Sequence, residues 1–170
     1  MSKPEEILPL IRNGTPITPL AATTFFNALP PIPASSLLGS WHGTCILTNH
    51  PGTKPLLDIN WVGKDFHSLE DVDPIIVRAE DTLDTVSRSE SEARSGSATE
   101  DSRNRNSKAP TTTTMTGRVV NPFMGKARLR EVKYNGVVSA AMIYNEKPII
   151  DYFRGVDERT VVGVMDALGA

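Results

Sequence analysis

The sequence predicts a mainly β protein: a small antiparallel barrel preceded by one or two helices and interrupted by a long polar loop. Three observations lead there. Asn135-Gly136 sits between two apolar-patterned runs, KARLREVKY and VVSAAMIY. Asn-Gly in that position is a strong hairpin signal, because both central turn residues need positive φ. Asn145-Glu146-Lys147-Pro148 and Asp157-Glu158-Arg159 then turn the chain into IIDYFRGV and TVVGVMDA, so four short strands follow one another as a meander. Upstream, Trp41, Gly43, Cys45 and Leu47 alternate with His42, Thr44, Ile46 and Thr48, which is strand periodicity.

The elements follow in order. Glu5 to Arg12 carries a short helix. Thr18-Pro19 starts a second, with Thr18 as N-cap and Pro19 at the first helical position. It stops at Pro30-Pro31, since proline lacks the donor and clashes with the preceding turn, and it covers a sheet or plugs an opening. A strand from Ser40 to about Thr48 ends in the turn chemistry of Asn49, Pro51 and Gly52. A second strand is expected over about Leu56 to Val62 and a third over about Asp73 to Arg78. With the meander, the total is about seven or eight strands. That is enough for a closed or nearly closed lipocalin-like barrel of the calycin type, and closure would remove exposed edges.

The segment from Ala79 to Pro110 is rich in Ser, Glu, Asp and Arg and holds no aromatic residue. Such a segment cannot bury enough apolar surface to offset its ordering entropy. It is expected to be a disordered, solvated loop. The organisation is therefore an N-terminal helical segment (1–36), a first barrel half (37–78), a polar loop (79–116) and a second barrel half (117–170), together one domain.

Composition narrows the function. The chain has 170 residues, a net charge of -2 and 39% hydrophobic residues. That near-neutral balance offers no field for nucleic acid. One cysteine, Cys45, excludes an intramolecular disulfide and a CxxC pair. The N-terminus lacks a basic region followed by a long apolar run, and no window approaches the ~20 apolar residues of a membrane span. A soluble, cytoplasmic protein is expected.

The residues Gly39-x-Trp41-x-Gly43, Thr48-x-His50-Pro51 and Trp61-x-Gly63-Lys64-x-Phe66 resemble the bacterial and fungal family named for its GXWXG motif. Gly125-x-Ala127-Arg128-Leu129-Arg130, Gly136-Val137-Val138-Ser139-Ala140 and Met142-x-Tyr144 are similar to the uncharacterised domain that usually follows it. So are Pro148-Ile149-x-Asp151-x-Phe153-Arg154-x-Val156-Asp157 and Gly163-x-Met165-Asp166. The resemblance covers most of residues 37–168 and implies a small β-rich fold. Members mostly lack an assigned activity, so it supplies no catalytic residues. Asn145 stands where the pattern has an acidic residue, and the polar insertion is atypical.

The side chains themselves suggest some chemistry. Trp41 is expected to close the barrel floor, because a tryptophan flanked by glycines packs where backbones approach closely. Cys45 shares its face and reads as an inert buried thiol. Of the three histidines, His42 should point away from Trp41, His50 follows in the turn, and His67 adjoins Phe66. They lack the HxH or HExxH spacing of a metal site. No cofactor is implied, although one histidine as an axial haem ligand stays open. In IIDYFRGVD, Asp151 and Phe153 share one face and Tyr152 and Arg154 the other. Asp166 shares a face with Val162 and Val164. A carboxyl on an apolar face must be paired, hydrogen-bonded or neutral, and Arg154, Arg128 and Arg130 are the cations at hand. The bland reading is a set of structural Asp–Arg pairs. The sharper one is a polar cluster in an apolar cavity, suited to acid–base work on a hydrophobic substrate. Lys64 could cap a turn or bind an anionic head group; a Schiff-base role would need desolvation.

Two functions follow. One is a cofactor-free cyclase or isomerase acting on a hydrophobic secondary metabolite. Asp151 or His50 would serve as acid or base, with Arg154 and Tyr144 orienting the substrate. Trp41, Trp61, Lys64, Arg128, Met142, Phe153, Met165 and Asp166 would line the ligand site. The other is a non-catalytic carrier or sensor of a lipid or haem.

Overall fold

The structure is a computed structural model and describes residues 4–79 and 117–168. The expected polar loop, apart from Ala79, lies outside the described residues.

Two helices lead the chain, α1 (Pro4–Arg12) and α2 (Pro19–Ala28). Thr18 caps α2 as expected, its hydroxyl accepting from the Ala21 amide at 3.1 Å. A 3-10 turn over Ala34–Leu37 follows, then β1 (Gly39–His42), α3 (Thr53–Asp58), β2 (Trp61–Phe66), β3 (Val72–Arg78) and β4 (Arg118–Val120). After a second 3-10 turn at Pro122–Met124 come β5 (Ala127–Tyr134), β6 (Val137–Tyr144), β7 (Ile149–Asp157) and β8 (Thr160–Ala167).

The meander stands as the sequence predicts, and Asn135 and Gly136 take φ 48 and φ 82 in the β5–β6 turn. All eight strands form one antiparallel sheet, ordered β1-β2-β3-β5-β6-β7-β8, with β4 paired to β3. The sheet curls into a half-barrel: among the described residues β1 and β8 form no ladder with each other.

Two expected strands need correction. Alternation from Trp41 to Leu47 predicts one long strand, but β1 stops at His42, and residues 43–52 carry no strand. The expected strand over Leu56 to Val62 is instead α3 followed by the start of β2. The lost strand residues serve another purpose. Ile46 packs on the outer cluster, the Leu47 carbonyl accepts from the Ile17 amide at 2.9 Å, and Gly52 lies near the Met165 methyl of β8. The segment thus spans from β1 towards β8 through side chains rather than a ladder.

The curled sheet has an apolar cluster on each side. The inner one includes Leu37, Phe66, Val72, Leu129, Met142 and Phe153, with Trp41 packed against it. The outer one joins Ala141, Tyr152 and Val162 to Ile7, Phe25 and Phe26 of the two helices. Full burial of a Leu- or Phe-sized side chain contributes about 1.5–3 kcal/mol, so both clusters weigh in stability. Tyr134 and Tyr152 stack at 4.1 Å between centroids, and Phe26 meets Tyr134 edge-on at 6.1 Å.

The chain passes from the outer cluster to the inner one between β6 and β7. Those strands pair only over Ala141–Ile143 with Ile150–Tyr152. Beyond that point residues 30–34 fill the split. The Ile32 carbonyl accepts from the Ala140 amide at 2.8 Å, and the Pro30 carbonyl from the Gly155 amide at 3.0 Å. Ile32 lies so close to Gly155 that a β-carbon there would collide with it.

Candidate functional site

A mid-strand glycine shapes the inner wall. Gly63 has φ 154, and the β2–β3 register shifts on both sides of it. Such a bulge puts one extra residue into the strand and re-aims its neighbours. Lys64, which pairs with Trp41, brings its ammonium 5.6 Å from the Trp61 ring centre, while Val62 borders a hollow with His42. Gly43 leaves room for the Trp61 ring, which a β-carbon at that position would strike. Trp41 packs on the inner cluster and donates its indole N–H to the Leu37 carbonyl at 2.7 Å. The Gly-Trp-Gly stretch is therefore built for the close approach of β1 to β2.

Lys64 is the centre of the arrangement. Its ammonium lies 2.9 Å from the Asp151 carboxylate, and the two side chains are only 14% and 10% exposed. It also donates to the Pro74 carbonyl at 3.1 Å and is hydrogen-bonded to the Tyr144 hydroxyl. The Tyr144 ring centre is 5.8 Å away, so the cation lies near two aromatic rings. Burial pulls the Lys64 amine down, but Asp151 and Tyr144 outweigh it and hold the ammonium above its ordinary range. Burial pushes the Tyr144 phenol up to about 12, which keeps it neutral. Cys45 is raised by burial against the opposing pull of Lys64, which leaves an unreactive thiol. The Trp61 indole nitrogen is buried and has no hydrogen-bond partner among the described residues.

The expected site residues divide between the two sides of the sheet. Asp151 pairs across the ladders with Met142 and Met165, which places all three on the inner face. Met142, Tyr144 and Phe153 belong to the inner cluster. With Lys64 and Trp61 beside them, the structure brings these expected residues together.

Arg154, Asp166 and Arg128 are elsewhere. Asp151 finds its cation in Lys64 rather than in one of the arginines, because strand alternation turns Arg154 to the other side. Arg154 is 1% exposed, donates to the Tyr134 and Val137 carbonyls at 3.1 and 3.4 Å, and lies 5.3 Å from the Phe26 ring centre. Burial lowers its pKa. Asp166 is solvent-exposed, and Arg128 donates to the Asn145 side chain at 2.5 Å. His50 is exposed, with Nδ1 accepting from the Gly52 amide at 3.0 Å.

Sequence reasoning missed the Lys64–Asp151 pair, which joins residues on strands that are not neighbours. The available signal was Phe66, with which Lys64 shares a strand face by alternation, while the glycine at 63 marks the bulge that brings Trp61 to the same side.

Two hollows lie away from this cluster. One of about 370 Å³ is bordered by Ile143, Pro148, Ile150 and Leu168, and one of about 130 Å³ by His42, Val62, Arg78 and Arg118. Among the described residues no three of His, Cys, Asp and Glu converge as a metal-ligand set, and no helix is long and apolar enough to cross a membrane.

The comparisons with known proteins agree with the architecture. Residues 24–82 match the model of the GXWXG protein family, and residues 125–170 match a domain of unknown function, DUF4334. No functionally curated protein matches the chain. The chain is similar to a protein from Thermomonospora curvata of known crystal structure, at 30% identity and a TM-score of 0.73, over 98% of this chain and 90% of that one. The signature of the bulged β1–β2 wall and that of the C-terminal meander are both present, and the chain belongs to the GXWXG family.

Proposed function

We propose that the inner face of the half-barrel binds a small hydrophobic molecule and acts on it as a cofactor-free isomerase or cyclase. One observation carries this reading: a buried Lys64–Asp151 pair with Tyr144, set in an otherwise apolar interior. A buried ion pair is weak as a stabilising device, because desolvation offsets the attraction. Its presence in an apolar interior therefore fits a chemical role. Asp151 is the candidate base. Tyr144 supplies a proton or stabilises a developing oxyanion, and Lys64 holds the Asp151 carboxylate in place. Trp61, Met142, Phe153 and Met165 give the apolar contact, and a secondary metabolite is the substrate class in view. His50 and Arg154, which the sequence also offered, take no part in this scheme.

A carrier is the second reading, and a specific observation favours it. The Lys64 ammonium has three protons, and Asp151, Pro74 and Tyr144 offer an acceptor for each. A cation so fully engaged suits a fixed anchor.

Native mass spectrometry of freshly purified protein, with an absorbance scan, is the first test. A retained lipid or haem supports the carrier. A bare protein mass leaves the enzyme, and Asp151→Asn should then abolish turnover while the chain still folds. A folded Asp151→Asn chain with undiminished turnover would rule out Asp151 as the base.

A further inference from the structure

The geometry points to a ligand whose polar group is a neutral hydrogen-bond acceptor, such as a ketone, aldehyde or ester carbonyl, held at the Trp61 indole N–H and the Tyr144 hydroxyl. This rests on the proposal that the inner face binds a small molecule, and it names the chemical class of that molecule.

Lys64 and Asp151 neutralise each other at 2.9 Å. The cluster around them adds a neutral phenol and a neutral thiol. An anionic ligand would thus enter a balanced site, next to a carboxylate, and find every ammonium proton already engaged. Burying a charge without a free counter-charge is costly, so carboxylates and phosphates are disfavoured.

Neutral donors remain. Lysine only donates, so the Tyr144 oxygen accepts from Lys64 and keeps its own proton to give. The Trp61 N–H is buried without a partner. A buried donor left unsatisfied costs stability, and a native structure tolerates one where something else completes it. A carbonyl oxygen accepts two hydrogen bonds and brings no charge.

Matched photoprobes test this. Benzophenone is a neutral aryl ketone that attaches to nearby C–H bonds on irradiation. 4-Benzoylbenzoate is the same ketone with a carboxylate. Each is irradiated with the full chain, and the labelled residues are located by peptide mapping. Benzophenone should label the inner face, at Met142 or Met165. The carboxylated probe should label it at least about tenfold less, the scale of a strongly disfavoured buried charge. Trp61→Phe keeps an aromatic ring and loses the N–H. It should reduce benzophenone labelling about tenfold, the scale of one buried hydrogen bond, without lowering the melting temperature, since no protein acceptor is lost.

Inner-face labelling by 4-benzoylbenzoate equal to that by benzophenone would overturn the neutral-acceptor inference and leave interior binding standing. Unchanged labelling in Trp61→Phe would overturn the role of Trp61. Labelling by both probes only at Ile143, Pro148 or Leu168 in the outer hollow, or by neither probe anywhere, would overturn interior binding and this inference with it.

Discussion

Replacing Lys64 by Met leaves the Asp151 carboxylate in an apolar interior with its cation gone. Breaking one side of a buried pair costs roughly 3–5 kcal/mol, which urea unfolding would read as a lower midpoint. The double variant Lys64→Met/Asp151→Leu should recover most of that loss, because apolar replacements need no solvation. If the single and double variants are equally unstable, packing rather than charge explains the effect. Arg154 answers differently. Its guanidinium holds the Tyr134 and Val137 carbonyls at the end of the β5–β6 hairpin, on the helix-covered side. Arg154→Ala should destabilise by about 2–4 kcal/mol through lost hydrogen bonds and a cavity, while any ligand on the inner face is retained. Loss of that ligand in a variant that stays folded would return Arg154 to the site. Strand alternation made these sides legible in part: Asp151 shares a face with Phe153, and Met142 with Tyr144, by period two alone, and the β6–β7 register puts the two pairs on one side. The partner of Asp151 was not legible, because adjacency along a strand says nothing about which distant side chain arrives opposite.

At the scale of elements, the β1–β2 wall depends on two glycines for different reasons. Gly63 needs its backbone angle and its bare α-carbon, because a β-carbon would run into the Trp41 carbonyl. Gly43 needs only space, since the obstacle is the Trp61 ring. Gly63→Ala should therefore cost more stability than Gly43→Ala, by about 1 kcal/mol or more. In the double variant Gly43→Ala/Trp61→Leu the cost at Gly43 should shrink. Thermal melts of these variants, of Trp61→Leu alone and of the unaltered chain check this, and equal effects of the two glycine variants would refute the distinction. The same wall shows where sequence reading ran out. The C-terminal meander was readable because Asn135-Gly136 and sustained alternation agree. Residues 44–48 also alternate, yet they flank the opening between β1 and β8, with no strand among the described residues to complete a ladder with them. Alternation reports which way side chains point and leaves open whether a backbone partner exists. In Thr53–Asp58 the run is too short for its period to separate helix from strand.

For the molecule as a whole, the ionisable groups inside the half-barrel set an alkaline limit. The folded pKa of Lys64 is raised above 10.5, and that of Tyr144 is raised from 10.0 to about 12. A group whose folded pKa is raised contributes stability that is whole below its unfolded pKa and is lost as pH rises through the folded value. Cys45, raised from 9.0, begins a decline near pH 9, and the contribution of Lys64 and Tyr144 should be level up to about pH 10 and fall between about 10 and 12, as the unfolded chain gives up protons that the folded one retains. Urea midpoints over that range check it. Tyr144→Phe should make the fall shallower, and an unchanged slope would show that the phenol is not the group responsible. The passage of residues 30–34 between β6 and β7 also bears on how the chain is made. During translation the first helices leave the ribosome long before Ala140 and Gly155, the residues whose amides hold the strap. Until those strands exist, α1 and α2 have no sheet to lie on, and short isolated helices are marginal in water. The helices must therefore wait for β6 and β7. Closing contacts so distant in sequence is slow, so a nascent chain of this protein spends its synthesis with Phe25 and Phe26 uncovered and in need of protection until the last hairpin emerges.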